Sequence, residues 1–537
     1  MRLQRFHNPG SWHRTAIVAA VLASAAGTAA EAKPAATAAA TPAAATAEVA
    51  PATGAAAAAK AEKAPAAAAG KAPEAKAPAA KPKPMISNAP PPPANPGYYV
   101  EPGSYGTRRE TVPPQYTRRL SQIGVESLKD IDWVDVGLDY RMRYEMRHND
   151  LRRPDDGFDN PFLLRTRAYL GVRDKLDPLR FAIEVEDARV ENSKYANDDR
   201  GTNELEPIQM IAELHFKNLL PRDDRFANRP VSLRGGRMWF EKLDRRLLAN
   251  NEWRNTTNTF QGIHLDIGRD ANDWEVEFIA AQPLERKKYD FDRINDGQWF
   301  YALIGHIRRW SDIVTIEPYY LALSQDKVGT RKERRIHAPA LRFYGPIGNT
   351  PAHYDVDLMY QAGEDDNRKH SAFGAVSELG WRFQHPWAPR ASVQYGYASG
   401  DEKPTDDSNQ RFDRFFGFAR PWSASDYVAW ENLHSAKTRF EIQPLTSVRA
   451  DWGYSAYWLA SDTDSWKGAN LRDTTGKSGD FMGHEFDIRA RWTVNTQAEA
   501  VVGYAHFEPG EFTKNRGRDN ASDFVYFELR LNAFPKI

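Results

Sequence analysis

The 537-residue chain contains no cysteine. That excludes a disulfide framework and a lipid-modified cysteine anchor. Charge of one sign is missing too: 72 basic side chains face 72 acidic ones. A balanced chain has no electrostatic footprint for nucleic acid, and none is expected as a partner. Beyond the N-terminus no run of about 18 apolar residues occurs, which excludes membrane-spanning helices. GxSxG, P-loop, dinucleotide-binding and HExxH patterns are absent as well. The reading is therefore of a non-enzyme with no catalytic residue, no cofactor and no metal. The low mean hydropathy, −0.66, leaves one membrane architecture open, because in a transmembrane barrel only every second strand residue meets lipid.

What is present is alternation. Val134, Val136, Leu138, Tyr140, Met142 and Tyr144 fall on one side of an extended chain, and Asp135, Asp139, Arg141, Arg143 and Glu145 on the other. Successive strand side chains point to opposite faces, so one face is apolar and the other ionised. The pattern recurs to the C-terminus: Leu164, Ala168 and Leu170 against Arg165 and Arg167, Ile208, Met210, Leu214 and Phe216 against Gln209, Glu213 and His215, and Val525, Phe527, Leu529 and Leu531 against Glu528 and Arg530. A soluble sandwich would put its apolar face inward in two sheets. Repeated Trp, Tyr and Phe near strand ends fit the aromatic girdles of a membrane instead. The predicted fold is all-β, a transmembrane antiparallel up-and-down barrel of about eighteen strands over residues 133–537, with sixteen and twenty as alternatives.

Link lengths test this independently. Residues 174–178, 309–312, 385–389, 444–447 and 495–497 are short and turn-rich. Between them lie the long links 146–161, 190–206, 239–259, 283–296, 399–436, 460–483 and 508–522. Short periplasmic turns alternate with long outer loops in outer-membrane barrels. Only 217–230 is long for a turn.

Ahead of the barrel, residues 1–32 read as a secretory signal peptide. Arg2, Arg5 and Arg14 precede an apolar core at 15–26 and a small-residue cleavage site at Ala30-Glu31-Ala32. Export plus a barrel points to a cell outer membrane, with its lipid as a partner. Residues 33–132 read as an Ala/Pro/Lys-rich disordered linker and transition segment. The 33–97 stretch is too poor in large apolar residues to build a core. Stretched as polyproline II it would reach roughly 200 Å, enough for a tether to peptidoglycan or periplasmic export components.

The lumen lining is the functional surface. One arc supplies Arg141, Arg143, Arg165, Arg167, Arg173, Arg439, Arg449, Arg489, Arg491 and Arg530. The opposite arc is richer in carboxylate, including Glu184, Glu213, Glu275, Glu277, Glu317, Asp355 and Asp357. Arginine's planar fork binds carboxylates bidentately and stays charged, so such a ladder can hand on an anionic chain. The same charges can also pair across strands and simply hydrate the wall. Acidic groups cluster in the outer loops at Asp401, Glu402, Asp406, Asp407, Asp413, Asp462 and Asp464. Such clusters are usually solvated surface rather than cation sites.

Three motif groups stand out. One runs Leu243-Asp244-Arg245-Arg246-Leu247-Leu248, Trp253-Arg254-Asn255 and Phe260-Gln261-Gly262. The second is Tyr395-Gly396-Tyr397-Ala398-Ser399-Gly400-Asp401 with Phe412-Asp413-Arg414-Phe415-Phe416, and the third is Glu431-Asn432-Leu433 with Gln443-Pro444-Leu445. Over roughly residues 130–537 the chain resembles the alginate export family. The resemblance implies an eighteen-stranded barrel whose arginine-containing pore secretes a uronic-acid polysaccharide, with Asp244, Arg245, Trp253, Arg254, Asn255, Gly400 and Asp401 in loops packed against the wall. The expected function is an outer-membrane channel for an anionic polysaccharide or oligosaccharide. The alternatives are a porin taking up small solutes, or a structural barrel anchoring the envelope through its tail.

Overall fold

A computed structural model describes residues 110–534 except 155–156, 224–225, 271 and 309–310. The signal peptide and the 33–97 tether lie outside the described residues. Eighteen strands form the wall: β1 Val134–His148, β2 Phe162–Val172, β3 Leu179–Glu191, β4 Asn203–Leu220, β5 Arg229–Met238 and β6 Phe260–Ile267. They continue as β7 Trp274–Glu285, β8 Gln298–Ile307, β9 Thr315–Gln325, β10 Arg334–Pro346, β11 Ala352–Asp365 and β12 Arg368–Arg382. The last six are β13 Arg390–Ala398, β14 Leu433–Leu445, β15 Val448–Trp458, β16 Phe481–Thr493, β17 Ala498–Pro509 and β18 Ser522–Asn532. Each pairs antiparallel with the next, and β18 closes on β1 from Asp139↔Asn532 to His148↔Asp523. No edge remains for another chain to pair with, which is what lets a sheet cross lipid.

The alternation turns as expected. Along β1 the charged residues Asp135, Asp139, Arg141, Arg143, Glu145 and Arg147 are all buried in the lumen, and Leu138 is exposed. Aromatics crowd both rims of the outer surface. Trp299, Tyr301, Tyr360, Phe373 and Tyr395 lie near the long-loop end, and Trp381, Phe383, Trp387 and Trp492 near the short-turn end.

One outward assignment fails. Ile208 is fully buried. The β3–β4 register passes from Glu184↔Gln209 to Val185↔Pro207, so Ile208 is the extra residue of a bulge and turns off the lipid face. The long 217–230 link also shortens, because β4 runs on to Leu220 and leaves 221–228. At the long-loop end one link is tight instead of long: Asp366 and Asn367, both at positive φ (51° and 69°), turn β11 directly into β12, as a type I′ hairpin requires.

The core of the molecule lies inside the barrel. Links 239–259 and 399–432 fold inward and pack on each other. Leu248 bridges Phe416 in parallel, and the Phe416 N–H donates to the Leu247 carbonyl at 3.0 Å. Leu247, Leu248, Phe412, Trp422, Tyr427 and Trp430 form an apolar cluster with Met238, Phe260 and Phe300 of the wall. Gly396 on β13 makes room for it, since a Cβ there would sit 2.3 Å from the Trp422 ring.

A second inward element precedes β1. Arg118 and Arg119 pair with Val136 and Asp135 below the end of β18. Ahead of them the chain enters the lumen, where Tyr116 and Glu110 are buried.

Candidate functional site

The site starts from a clash of like charges. Strand register sets Arg530 of β18 opposite Arg141 of β1, and Arg141 opposite Arg165 of β2. Three adjacent guanidinium groups across three strands repel one another and need an anion. Buried Asp139 of β1 supplies one, 2.6 Å from Arg530 and 3.9 Å from Arg165, and Glu252, in the middle of the inward link 239–259, supplies another. Its carboxylate lies 2.6 Å from Arg165, 3.0 Å from Arg167, 3.4 Å from Arg530 and 3.9 Å from Arg141. Burial pushes the Glu252 carboxyl up, but Arg165, Arg167, Arg530 and Arg141 outweigh that and hold it well below the usual range.

The same arginines grip the link's backbone. Arg141 donates to the carbonyls of Glu252 and Arg254, both at 2.7 Å, and Arg143 to that of Trp253 at 2.7 Å. The Asn255 amide donates to the carbonyls of Leu164, Arg189 and Gly201. Leu243, Arg245 and Asn251 hold left-handed backbone (φ 54°, 69° and 67°), a conformation unfavourable for non-glycine residues that these contacts outweigh. Asp244 pairs with Arg246, and Arg245 lies 3.9 Å from Glu241 and faces the Phe418 ring.

Trp253 is held from three sides. Its ring lies under the Arg143 guanidinium at 4.1 Å and the Arg420 guanidinium at 3.6 Å, with Tyr526 edge-on at 4.9 Å. It lines two cavities at once. A cavity of about 210 Å³ toward the long loops carries Arg143, Arg147, Arg152, Arg153, Arg200 and Arg254 against Glu145, Asp159, Asp198 and Asp426. A cavity of about 380 Å³ toward the short turns carries Arg141, Arg491 and Arg530 with Glu110, Glu252, Glu499 and Glu528. Arg491 in turn lines a recess of about 70 Å³ at the short-turn rim with Arg449 and Arg489. Arg449 stands directly opposite Arg491 in the β15–β16 register, and among the described residues it makes no ion pair. Burial lowers Arg254 to about 10, with Asp426 opposing the shift.

The remaining arginines serve the wall. Arg439 bridges Asp487 at 2.6 Å and Asp451, and Arg489 binds Asp451 at 2.7 Å. Arg173 lies at the rim on Asp135, 2.5 Å away. In the other inward link Gly400 leaves room for Asn432, and Asp401 takes a fork from Arg368 at 3.0 and 3.1 Å. The loop carboxylates Asp406, Asp413 and Asp464 likewise pair with Arg368, Arg334 and Arg411.

On the opposite arc His264, Asp266 and Glu277 place ligand-type atoms within 4.8 Å of one another. Arg234 and Lys242 already neutralise these carboxylates, so the group reads as an anchor for the start of link 239–259. A third cavity, about 670 Å³, opens beside it and shares Glu110 with the second.

Sequence reasoning missed Glu252, Tyr116, Glu110 and Arg420. Glu252 sits between Asn251 and Trp253 in a stretch without periodicity; only the row of facing arginines, visible once register is known, calls for it.

The alginate export family profile matches residues 132–527. The alginate production protein AlgE of Pseudomonas aeruginosa is 26% identical over 208 residues, which covers 36% of this chain and 39% of that protein. Among solved structures, OccK11 (OpdR) of Pseudomonas aeruginosa aligns with a TM-score of 0.49 at 12% identity, covering 75% of this chain and 96% of that one. OccAB1 of Acinetobacter baumannii aligns at 0.48 and 12%, covering 77% and 99%. The chain spans about two fifths of AlgE in its match to that protein; it belongs to the alginate export family and is an outer-membrane β-barrel.

Proposed function

We propose that this barrel is a channel that passes an anionic polysaccharide or oligosaccharide, alginate-like in bearing one carboxylate per sugar. The observation that carries this reading is the run of arginine-bearing cavities along one wall. Arg449, Arg489 and Arg491 stand at the periplasmic rim, Arg141 and Arg530 in the middle, and Arg143, Arg147, Arg152 and Arg254 beyond Trp253. Adjacent cavities share Arg491 and Trp253. A polyanion needs binding strong enough to enter and weak enough to leave, at several sites in series. Arg165 and Arg167 belong to the same path through Glu252, the carboxylate a uronate would replace. Arg173 and Arg439 support it from the wall.

Carbohydrate block tests this. Oligouronates added to a planar bilayer holding the protein should reduce current more strongly as their length grows, while neutral oligosaccharides of equal length should not. Equal block by both would reject the polyanion reading. A second reading, uptake of small solutes, is favoured by the size of the cavities on either side of Trp253, which suit a small molecule better than a polymer. Rapid swelling of protein-loaded liposomes in neutral sugars would support it. The 33–97 segment is proposed as a tether to peptidoglycan or periplasmic export components; equal recovery of partners with and without it would refute that role.

A further inference from the structure

The segment ahead of β1 meets the inward link 239–259 once directly and twice through wall residues that bind both. Glu184 of β3 is shared: the Tyr116 hydroxyl donates to one oxygen at 2.7 Å, and the Trp239 indole N–H to the other at 3.0 Å. The Glu110 N–H donates to the Glu241 carboxylate at 2.6 Å. Arg530 is shared as well, 3.7 Å from Glu110 and 3.4 Å from Glu252. All of these groups are buried except Arg530, whose side chain is 22% exposed.

The wall is cut to receive this segment. At Gly137, on the lumen face of β1, a Cβ would meet the Tyr116 ring at 2.7 Å and the Thr117 methyl at 3.0 Å. Every other lumen-facing residue from Asp135 to Arg147 on that strand is charged. A side chain of any size at 137 would occupy the ring's place. Glu110 also lines both periplasmic-side cavities, so the segment stands between them.

We propose that residues 110–119 are an intramolecular latch that plugs the periplasmic half of the lumen and clasps link 239–259 in its closed position. Undocking removes the hydroxyl from Glu184 and the backbone donor from Glu241. Glu241, at the start of the link, then loses the donor that ties it to the latch, and the Glu184 carboxylate that holds Trp239 loses its hydroxyl partner. The latch lies outside the strands, so it can be changed without altering barrel pairing apart from the Arg118–Arg119 bridge.

The test uses the full chain with 110–117 replaced by a Gly/Ser sequence of equal length, and a second variant, Gly137→Phe, which fills the Tyr116 seat. Single-channel conductance in planar bilayers should rise several-fold in both relative to the unaltered chain. Because the chain has no cysteine, Ala249→Cys provides a unique thiol in the buried link. Its reaction with a small methanethiosulfonate should be faster when the Gly/Ser replacement is present. Heat-modifiable migration on gels verifies that each barrel is folded; should Gly137→Phe not fold, the Gly/Ser chain decides alone. Unchanged conductance in a folded Gly/Ser chain would overturn the plug. Raised conductance with an unchanged labelling rate would overturn the clasp.

Discussion

Glu252 and Glu110 face the same Arg530, and their carboxyl groups are shifted in opposite directions. Four arginines hold Glu252 well below the ordinary glutamate value. A depressed acid stabilises docking fully above its unfolded value, ~4.3, and loses that only as pH falls through the depressed one. Mild acid therefore leaves link 239–259 in place. Burial raises Glu110, against Arg530 and with Glu252 adding to the rise. A raised acid favours docking most below its unfolded value, and the benefit fades as pH climbs through the raised one. Conductance should accordingly fall as pH is lowered from neutrality toward 4, and Glu110→Gln should flatten that dependence; an equal pH response in the variant would contradict the assignment. Replacing Glu252 by Gln leaves Asp139, 2.6 Å from Arg530 and 3.9 Å from Arg165, as the nearest carboxylate to these arginines and removes the one that the link contributes. Breaking a buried ion pair costs up to about 3–5 kcal/mol, and the loss falls on the contact that holds the link to the wall. Ala249→Cys labelling in this variant should accelerate strongly, and an unchanged rate would contradict the socket.

At the scale of elements, the inward links decide whether the barrel is open. Trp253 separates the cavities of about 210 and 380 Å³. Trp253→Ala should join them and raise single-channel conductance several-fold, with strand pairing intact although the ring's packing on Phe524 and Tyr526 of β18 is lost; equal conductance would place the constriction elsewhere. The strands were legible in the sequence because a wall with lipid on one side and water on the other imposes a two-residue period on every strand. That logic placed Arg141, Arg143, Arg165 and Arg167 on the lumen face. It misplaced Ile208, since a bulge adds one residue and shifts phase without leaving a mark in composition. The links were legible by length alone. Their inward fold was not, because Leu247, Leu248, Trp422 and Trp430 pack without periodicity and their partners come from distant strands. The 98–132 stretch is similar: nothing in its composition says that Tyr116 fits over Gly137.

For the whole molecule, closure of β18 on β1 sets the remaining constraints. An even strand number brings both ends of the barrel to the short-turn rim, where Arg449 and Arg491 stand. A polyanion moving outward would meet these arginines first, then Arg530 and Arg141, and beyond Trp253 the basic outer cavity. Many lumen charges are paired across strands, Arg491 with Glu499 at 3.6 Å among them, so net selectivity depends on the balance of charge at the rim. The direct measurement is the reversal potential of single channels under a potassium chloride gradient, in the unaltered chain and in an Arg449→Glu/Arg491→Glu pair. An anion-selective potential that moves toward cation selectivity in the pair is the predicted result. A cation-selective channel, or one indifferent to both substitutions, would contradict a path for anions along this wall.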